Sequence, residues 1–139
     1  MPHSLEEVRV YNSKPSVIHV VDDDEAVRDS MRALLESHGF EVHDYASGRE
    51  FLLGSPLKPK GCMLLDLHMP GMSGLELLDL LQARGSKLPV IAITGRSDLM
   101  LKERVIRAGA FTLLDKPVAD DMLLGSLARA LTLAECRGY

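Results

Sequence analysis

Tryptophan is absent from this chain of 139 residues, and three tyrosines and three phenylalanines are its only large aromatics. Base-stacking platforms for single-stranded nucleic acid depend on such rings, so that class is disfavoured. Cysteine is almost as scarce. Cys62 and Cys136 share no metal-like spacing, and two thiols do not make a disulfide framework. No apolar run approaches the ~20 residues that a membrane helix needs. The opening residues MPHSLEEVRV are too polar and acidic for a signal or transit peptide, so the expected location is the cytoplasm, with no membrane partner. There is also no excess of positive charge. Sixteen basic against twenty acidic residues give a net charge of −4 and a pI near 5.7, which speaks against direct nucleic-acid binding. What remains is an ordinary soluble composition, 46% apolar and 26% charged, in 15.3 kDa of chain, which is one domain's worth.

Residues 1–15 read as an arm closed by Pro15, with a short helix at Leu5–Val10 as one option. Residues 16–135 read as one domain and 136–139 as a tail. Within the domain, short apolar runs alternate with helical patterns. The runs are Val17–Val21, Val42–Tyr45, Cys62–Leu65, Val90–Ile93 and Phe111–Leu114. Between the first two, Val27, Met31, Leu34 and Leu35 keep helical spacing until Gly39 stops it. Ser47 with Glu50 and Ser73 with Glu76 have the capping-box spacing that opens a helix. Further helices are expected over Leu99–Ala108 and from Asp120 to about Ala134. The strand runs are continuously apolar rather than alternating, as in parallel strands buried on both faces. The expected fold is therefore an α/β doubly wound five-stranded parallel sheet of flavodoxin-like order 2-1-3-4-5.

In such sheets ligands bind beyond the carboxyl ends of the strands. Here the first strand ends at Asp22-Asp23, the third at Asp66 and the fourth at Thr94, and Lys116 lies just past the fifth. Each feature alone has a plain structural reading. An Asp run before a helix caps it, as Asp24 is expected to do, and an Asp before Met-Pro-Gly belongs to a turn. Four such groups at one sheet edge are a different matter. Two carboxylates ~5 Å apart repel by about 3 kcal/mol at an effective dielectric of roughly 20. Lys116 supplies one compensating charge, and Mg²⁺, which takes oxygen ligands and keeps several waters, would supply two more. Carboxylates around Mg²⁺, beside an ammonium and a hydroxyl, suit phosphoryl chemistry with a remaining carboxylate as nucleophile.

The segments VVDDDEAVR, LLDLHMPGMSGLELL, IAITGRSD and AGAFTLLDKP resemble, in order and spacing, the receiver domain of bacterial two-component response regulators. The resemblance covers about residues 16–134. DLHMPGMSGLE and ITG look most like the nitrogen-fixation-regulator (FixJ) branch. It implies that Asp66 is the phosphoacceptor, charged by a sensor histidine kinase or phosphotransfer protein. It implies that Asp22 and Asp23, with Asp66 and the backbone carbonyl of His68, hold Mg²⁺. Thr94 would be the switch hydroxyl, and Lys116 the partner of the phosphoryl oxygens, aimed inward by a cis bond to Pro117. Such a domain is not an enzyme beyond catalysing its own phosphorylation and dephosphorylation. Phosphorylation would control partner binding or an output. Relatives in that branch commonly carry a helix-turn-helix output domain, and both a stand-alone receiver and a fragment of such a regulator remain open.

Three positions depart from the family's habits. The switch aromatic is replaced by Leu113, and His68 and Arg96 occupy the variable active-site positions that tune phosphoryl lifetime. Period-two alternation would put Phe111 on the face of Leu113. The last helix sets Leu123, Leu127, Ala130, Leu131 and Ala134 on one stripe for the sheet. Leu124 and Ala128 widen it, and with Arg104 and Arg107 they outline a homodimer or kinase-docking surface on the fourth and fifth helices. The competing readings are a receiver-fold adaptor or dimerisation module that works without phosphorylation, a haloacid-dehalogenase-type phosphatase and a flavin module. The phosphatase lacks its expected continuation after the Asp run. The flavin module would meet an acidic first loop where a phosphate needs a cradle.

Overall fold

Five parallel strands form one sheet in the order β2-β1-β3-β4-β5, the doubly wound arrangement expected from the apolar runs. The computed structural model describes residues 15–136. Its elements are β1 (Val17–Val21), α1 (Glu25–Ser37), β2 (Glu41–Tyr45), α2 (Gly48–Gly54) and β3 (Cys62–Asp66). They continue with α3 (Gly74–Ala83), β4 (Val90–Thr94), α4 (Leu99–Arg107), β5 (Thr112–Asp115) and α5 (Asp120–Cys136). The arm expected over residues 1–15, with its helix option at Leu5–Val10, lies outside the described residues except for Pro15. α5 continues two residues past the expected Ala134.

Each face of the sheet carries its own core. On one, Met63 and Leu65 of β3 pack with Phe51 of α2, Leu77 and Leu78 of α3 and Val105 of α4. On the other, Cys62 and Leu64 pack with Leu35 of α1 and Leu123, Leu127 and Ala130 of α5. Successive residues of β3 thus serve opposite cores, and none of its five is exposed. That is why the run contains no polar residue before Asp66. Full burial of one such Leu or Met contributes roughly 1.5–3 kcal/mol. Burial also pushes the Cys62 thiol up to about 12, so it behaves as a small apolar side chain.

Helix starts follow the capping chemistry. Asp24 accepts from the amides of Ala26 and Val27, so it caps α1 as expected. Ser73 and Glu76 form the complete reciprocal box at α3, while Ser47 accepts from the Glu50 amide at α2.

One expectation is corrected. Phe111 does not share the face of Leu113. β5 begins at Thr112, and the Phe111 amide donates to Val90 O at 2.7 Å from a bend before the strand, where period-two alternation does not apply. Phe111 packs against the α1/α5 core, whereas Leu113 belongs to the α2/α3/α4 core. Of the proposed α4–α5 margin, Leu124 packs at the edge of the core, Ala128 and Arg107 are exposed, and Arg104 pairs with Asp79 of α3 at 2.6 Å.

Candidate functional site

The register of the sheet assembles the site. Val21 pairs with Leu65 and Asp66 with Ile93, so the chain leaving β1 at Asp22 emerges beside the last residue of β3. Thr94 pairs with Asp115, which delivers Lys116 to the same edge. One ligand oxygen each from Asp22, Asp23 and Asp66 lies within 4.8 Å of the others. Lys116 Nζ stands 3.6 Å from Asp66 Oδ1 and 3.9 Å from Asp22 Oδ2. The Lys116–Pro117 peptide is cis, and the Lys116 amide donates to Thr94 O at 2.8 Å. All five side chains singled out by the sequence therefore meet at the carboxyl end of the sheet.

The loops that carry the acids are held by backbone bonds. Asp22 Oδ1 accepts from the Asp24 amide at 2.9 Å, and Arg28 Nη1 donates to Asp22 O at 2.7 Å. Arg28 Nε also pairs with Asp44 of β2 at 3.3 Å, tying the β1–α1 turn to the neighbouring strand. Asp66 Oδ1 accepts from the His68 amide at 3.1 Å. Gly74, the first residue of α3, lets the helix start against this turn, since a Cβ there would lie 2.4 Å from Asp66 O and 2.7 Å from Leu67 Cα.

Asp22 and Asp66 are both about 4% exposed, whereas Asp23 faces solvent. Burial, opposed by the Asp24 amide and reinforced by the charge of Asp66, holds the Asp22 carboxyl above its usual range. A single half-exposed ammonium serves two buried carboxylates, so the cluster is short of positive charge. Three carboxylate oxygens within 4.8 Å of one another are a fitting donor set for a hard divalent cation, which removes that deficit.

Thr94 is fully buried, and its hydroxyl is engaged by a residue whose side chain had no assigned partner in the sequence. His68 Nε2 lies 2.7 Å from Thr94 Oγ1, while the Arg96 amide and carbonyl lie 3.2 and 3.3 Å from the same oxygen. Nothing in the sequence signalled the His68 contact, which joins the loop after β3 to the end of β4. A cavity of about 640 Å³ lies elsewhere. It lies at the amino ends of β3 and β4 between the Ser55–Lys60 loop and Arg84–Lys87, and it contains none of these groups.

Comparison with known proteins identifies the family. Residues 18–128 match the family model of the response regulator receiver domain. The chain is 41% identical over 122 residues to the C4-dicarboxylate transport transcriptional regulatory protein DctR of Rhodobacter capsulatus, covering 86% of this chain and 62% of that one. It is 44% identical over 115 residues to the transcriptional regulatory protein FixJ of Azorhizobium caulinodans, covering 82% and 54% respectively. It thus spans somewhat over half the length of these relatives. The crystal structure of FixJ-N superposes with a TM-score of 0.77 at 36% identity, covering 84% of this chain and 94% of that one.

Proposed function

Since this chain belongs to the response regulator receiver family, we propose that Asp66 accepts a phosphoryl group from the phosphohistidine of a sensor histidine kinase or phosphotransfer protein. An Asp66 carboxylate oxygen attacks phosphorus, the bond from phosphorus to the donor's imidazole nitrogen breaks, and the imidazole leaves. Asp22, Asp23, Asp66 and the His68 carbonyl would hold Mg²⁺, which would supply charge to neutralise phosphoryl oxygens. Lys116 neutralises another, and Thr94 turns its hydroxyl to the modified Asp66. The observation that carries this reading is the convergence of three carboxylates and one ammonium at the sheet edge, with Lys116 Nζ 3.6 Å from Asp66. Each part answers a need of a phosphoryl group in flight, whose charge is spread over three equatorial oxygens.

The role is that of a cytoplasmic two-component signalling module whose phosphorylation controls partner binding or an output. Among the described residues no helix is long and apolar enough to cross a membrane. Self-association through α4 and α5 is part of the proposal, because α4 leaves Leu99 and Met100 largely exposed. The test is incubation with Mg²⁺ and a small phosphodonor, followed by intact mass. One phosphoryl adduct in the wild type and none in Asp66→Asn is expected, with folding of the variant checked by circular dichroism. No adduct on wild-type protein under donor excess would favour the adaptor reading, to which the inward-packed Leu113 lends some support.

A further inference from the structure

A phosphoryl group on Asp66 would draw the Thr94 hydroxyl toward it, yet in the structure the proton of this hydroxyl is already committed to other partners. A threonine hydroxyl offers one proton and two acceptor sites. The Arg96 amide donates to it at 3.2 Å. Its shortest contact is His68 Nε2 at 2.7 Å. With the imidazole proton on Nδ1, Thr94 gives its own proton to Nε2. With the proton on Nε2, His68 donates to Thr94, and the threonine proton goes to Arg96 O at 3.3 Å. In both tautomers the hydroxyl proton is committed away from Asp66, and reaching a phosphoryl oxygen requires a bond to be broken.

His68 holds the other party too, since its backbone amide donates to Asp66 Oδ1 at 3.1 Å. One residue thus grips the acceptor through its main chain and the hydroxyl through its ring. The two grips differ in what can release them. The amide is fixed by the turn after β3, whereas the His68 side chain is exposed and can swing into solvent. Thr94 itself is fully buried, so its hydroxyl has no water to turn to and changes partner only by exchange.

We propose, resting on the reading of Asp66 as the phosphoacceptor, that the His68 side chain is a latch on Thr94. It is a positioning residue that holds the switch hydroxyl in its resting place and so sets how readily phosphorylation is converted into the active arrangement. A ligand shifts such an equilibrium only by its differential affinity for the two states. Removing one net hydrogen bond from the resting state should therefore favour the active one by between about two- and tenfold.

The experiment uses beryllium fluoride with Mg²⁺ as the phosphoryl mimic, titrated into the full chain and followed by NMR. His68→Ala is expected to raise the apparent affinity for the mimic two- to tenfold, and His68→Gln, whose side-chain amide can reach the same hydroxyl, to return it toward wild type. Before the mimic is added, the Thr94 methyl resonance should report one rotamer in wild type and averaging in His68→Ala. In a Thr94→Val background, which has no hydroxyl to latch, His68→Ala should change the affinity little. An equal gain in that background would mean that His68 merely obstructs access, and no gain in the wild-type background would mean that no latch operates; either overturns the proposal. Binding that is present in wild type and lost in Asp66→Asn keeps the phosphoacceptor reading intact in both cases, whereas its absence from the wild type would remove that reading itself.

Discussion

Phe111 and Leu113 stand two residues apart yet serve opposite faces of the sheet. Leu113 lies in the core that includes Ala92 and Val105, whereas Phe111 lies against the core built from Leu114, Leu123 and Leu127. Leu113 also pairs with Ala92 across the β4–β5 ladder and is about 9% exposed. The place where a receiver keeps a mobile ring is therefore filled by an aliphatic side chain already packed inward. The one nearby ring cannot replace it without crossing the sheet.

Phosphorylation should accordingly move the loop after Thr94 and leave the α4–β5 face nearly unchanged. Amide hydrogen exchange with and without the phosphoryl mimic is expected to differ at residues 94–98 and to match over 99–114. Phe111→Ala should lower stability by about 1–3 kcal/mol, as a partly buried ring does, without altering that pattern. Large exchange differences spread over 99–114 would show that the face switches by another route.

The legible and illegible parts of this molecule divide by range. β3 is buried on both faces, so its sequence had to be continuously apolar, and its end at Asp66 marked the sheet edge. Thr94 and Lys116 were readable for the same reason, since Thr94 ends β4 and Lys116 follows directly on β5. Phe111 was misplaced because alternation holds only inside a strand, and β5 starts one residue later. The Arg104–Asp79 pair joins two helices, and the His68–Thr94 bond joins a loop to the end of a strand. Neither contact leaves a local pattern. Gly74 carries no local signal either, because the backbone it must clear, Asp66 O, belongs to the end of β3.

Two glycines separate folding from chemistry. At Gly61, φ is +98° and a Cβ would fall 1.8 Å from Val17 O. Gly61→Ala should cost more than about 2 kcal/mol, from left-handed strain and overpacking combined. Gly74→Ala should cost about 1–3 kcal/mol, and it should also slow phosphoryl uptake because the clash lies on the acceptor's own carbonyl. Urea unfolding alongside uptake rates would check both. Wild-type uptake by a folded Gly74→Ala protein would show that the turn yields without moving Asp66.

The two acidic residues after β1 should respond differently to neutralisation. Asp23 is exposed, so Asp23→Ala should leave stability nearly unchanged while weakening Mg²⁺ binding at least about tenfold, or ~1.4 kcal/mol. Asp22 is buried, and its carboxyl is held above the usual range chiefly by that burial. A carboxyl raised in the folded state makes the metal-free protein less stable as pH rises past the unfolded value of 3.8. Asp22→Asn should therefore raise stability in chelator at neutral pH while abolishing tight Mg²⁺ binding. Titration calorimetry and urea unfolding in chelator would measure the two effects. A destabilised Asp22→Asn would mean that Lys116 already compensates the charge in full.

His19 should make the fold sensitive to mild acid. It is about 3% exposed in the middle of β1, stacked on His43 and Tyr45 and edge-on to Phe51. Its Nε2 lies 2.9 Å from Lys60 O, a pure acceptor, so Nε2 carries the proton. Nδ1 is then the basic nitrogen, and it is buried without a hydrogen-bond partner among the described residues. Protonation would bury an unpaired N–H and a charge together. Burial accordingly pushes the imidazole below its ordinary 6.5. The neighbouring His43 pushes the same way, while the Lys60 carbonyl and Glu41 oppose it. A base depressed in the folded state stabilises above the unfolded value, and that contribution is lost as pH falls from 6.5 toward the lower folded value. One proton gives a slope of at most ~1.4 kcal/mol per pH unit. Urea unfolding between about pH 7.5 and pH 5.5 should show this loss in wild type. It should shrink in His19→Gln, which can keep the bond to Lys60 O but cannot titrate. Exposed His43, paired with Glu41 at 2.6 Å, is present in both proteins and so cancels in the comparison. Equal slopes in the two proteins would assign the acid sensitivity elsewhere.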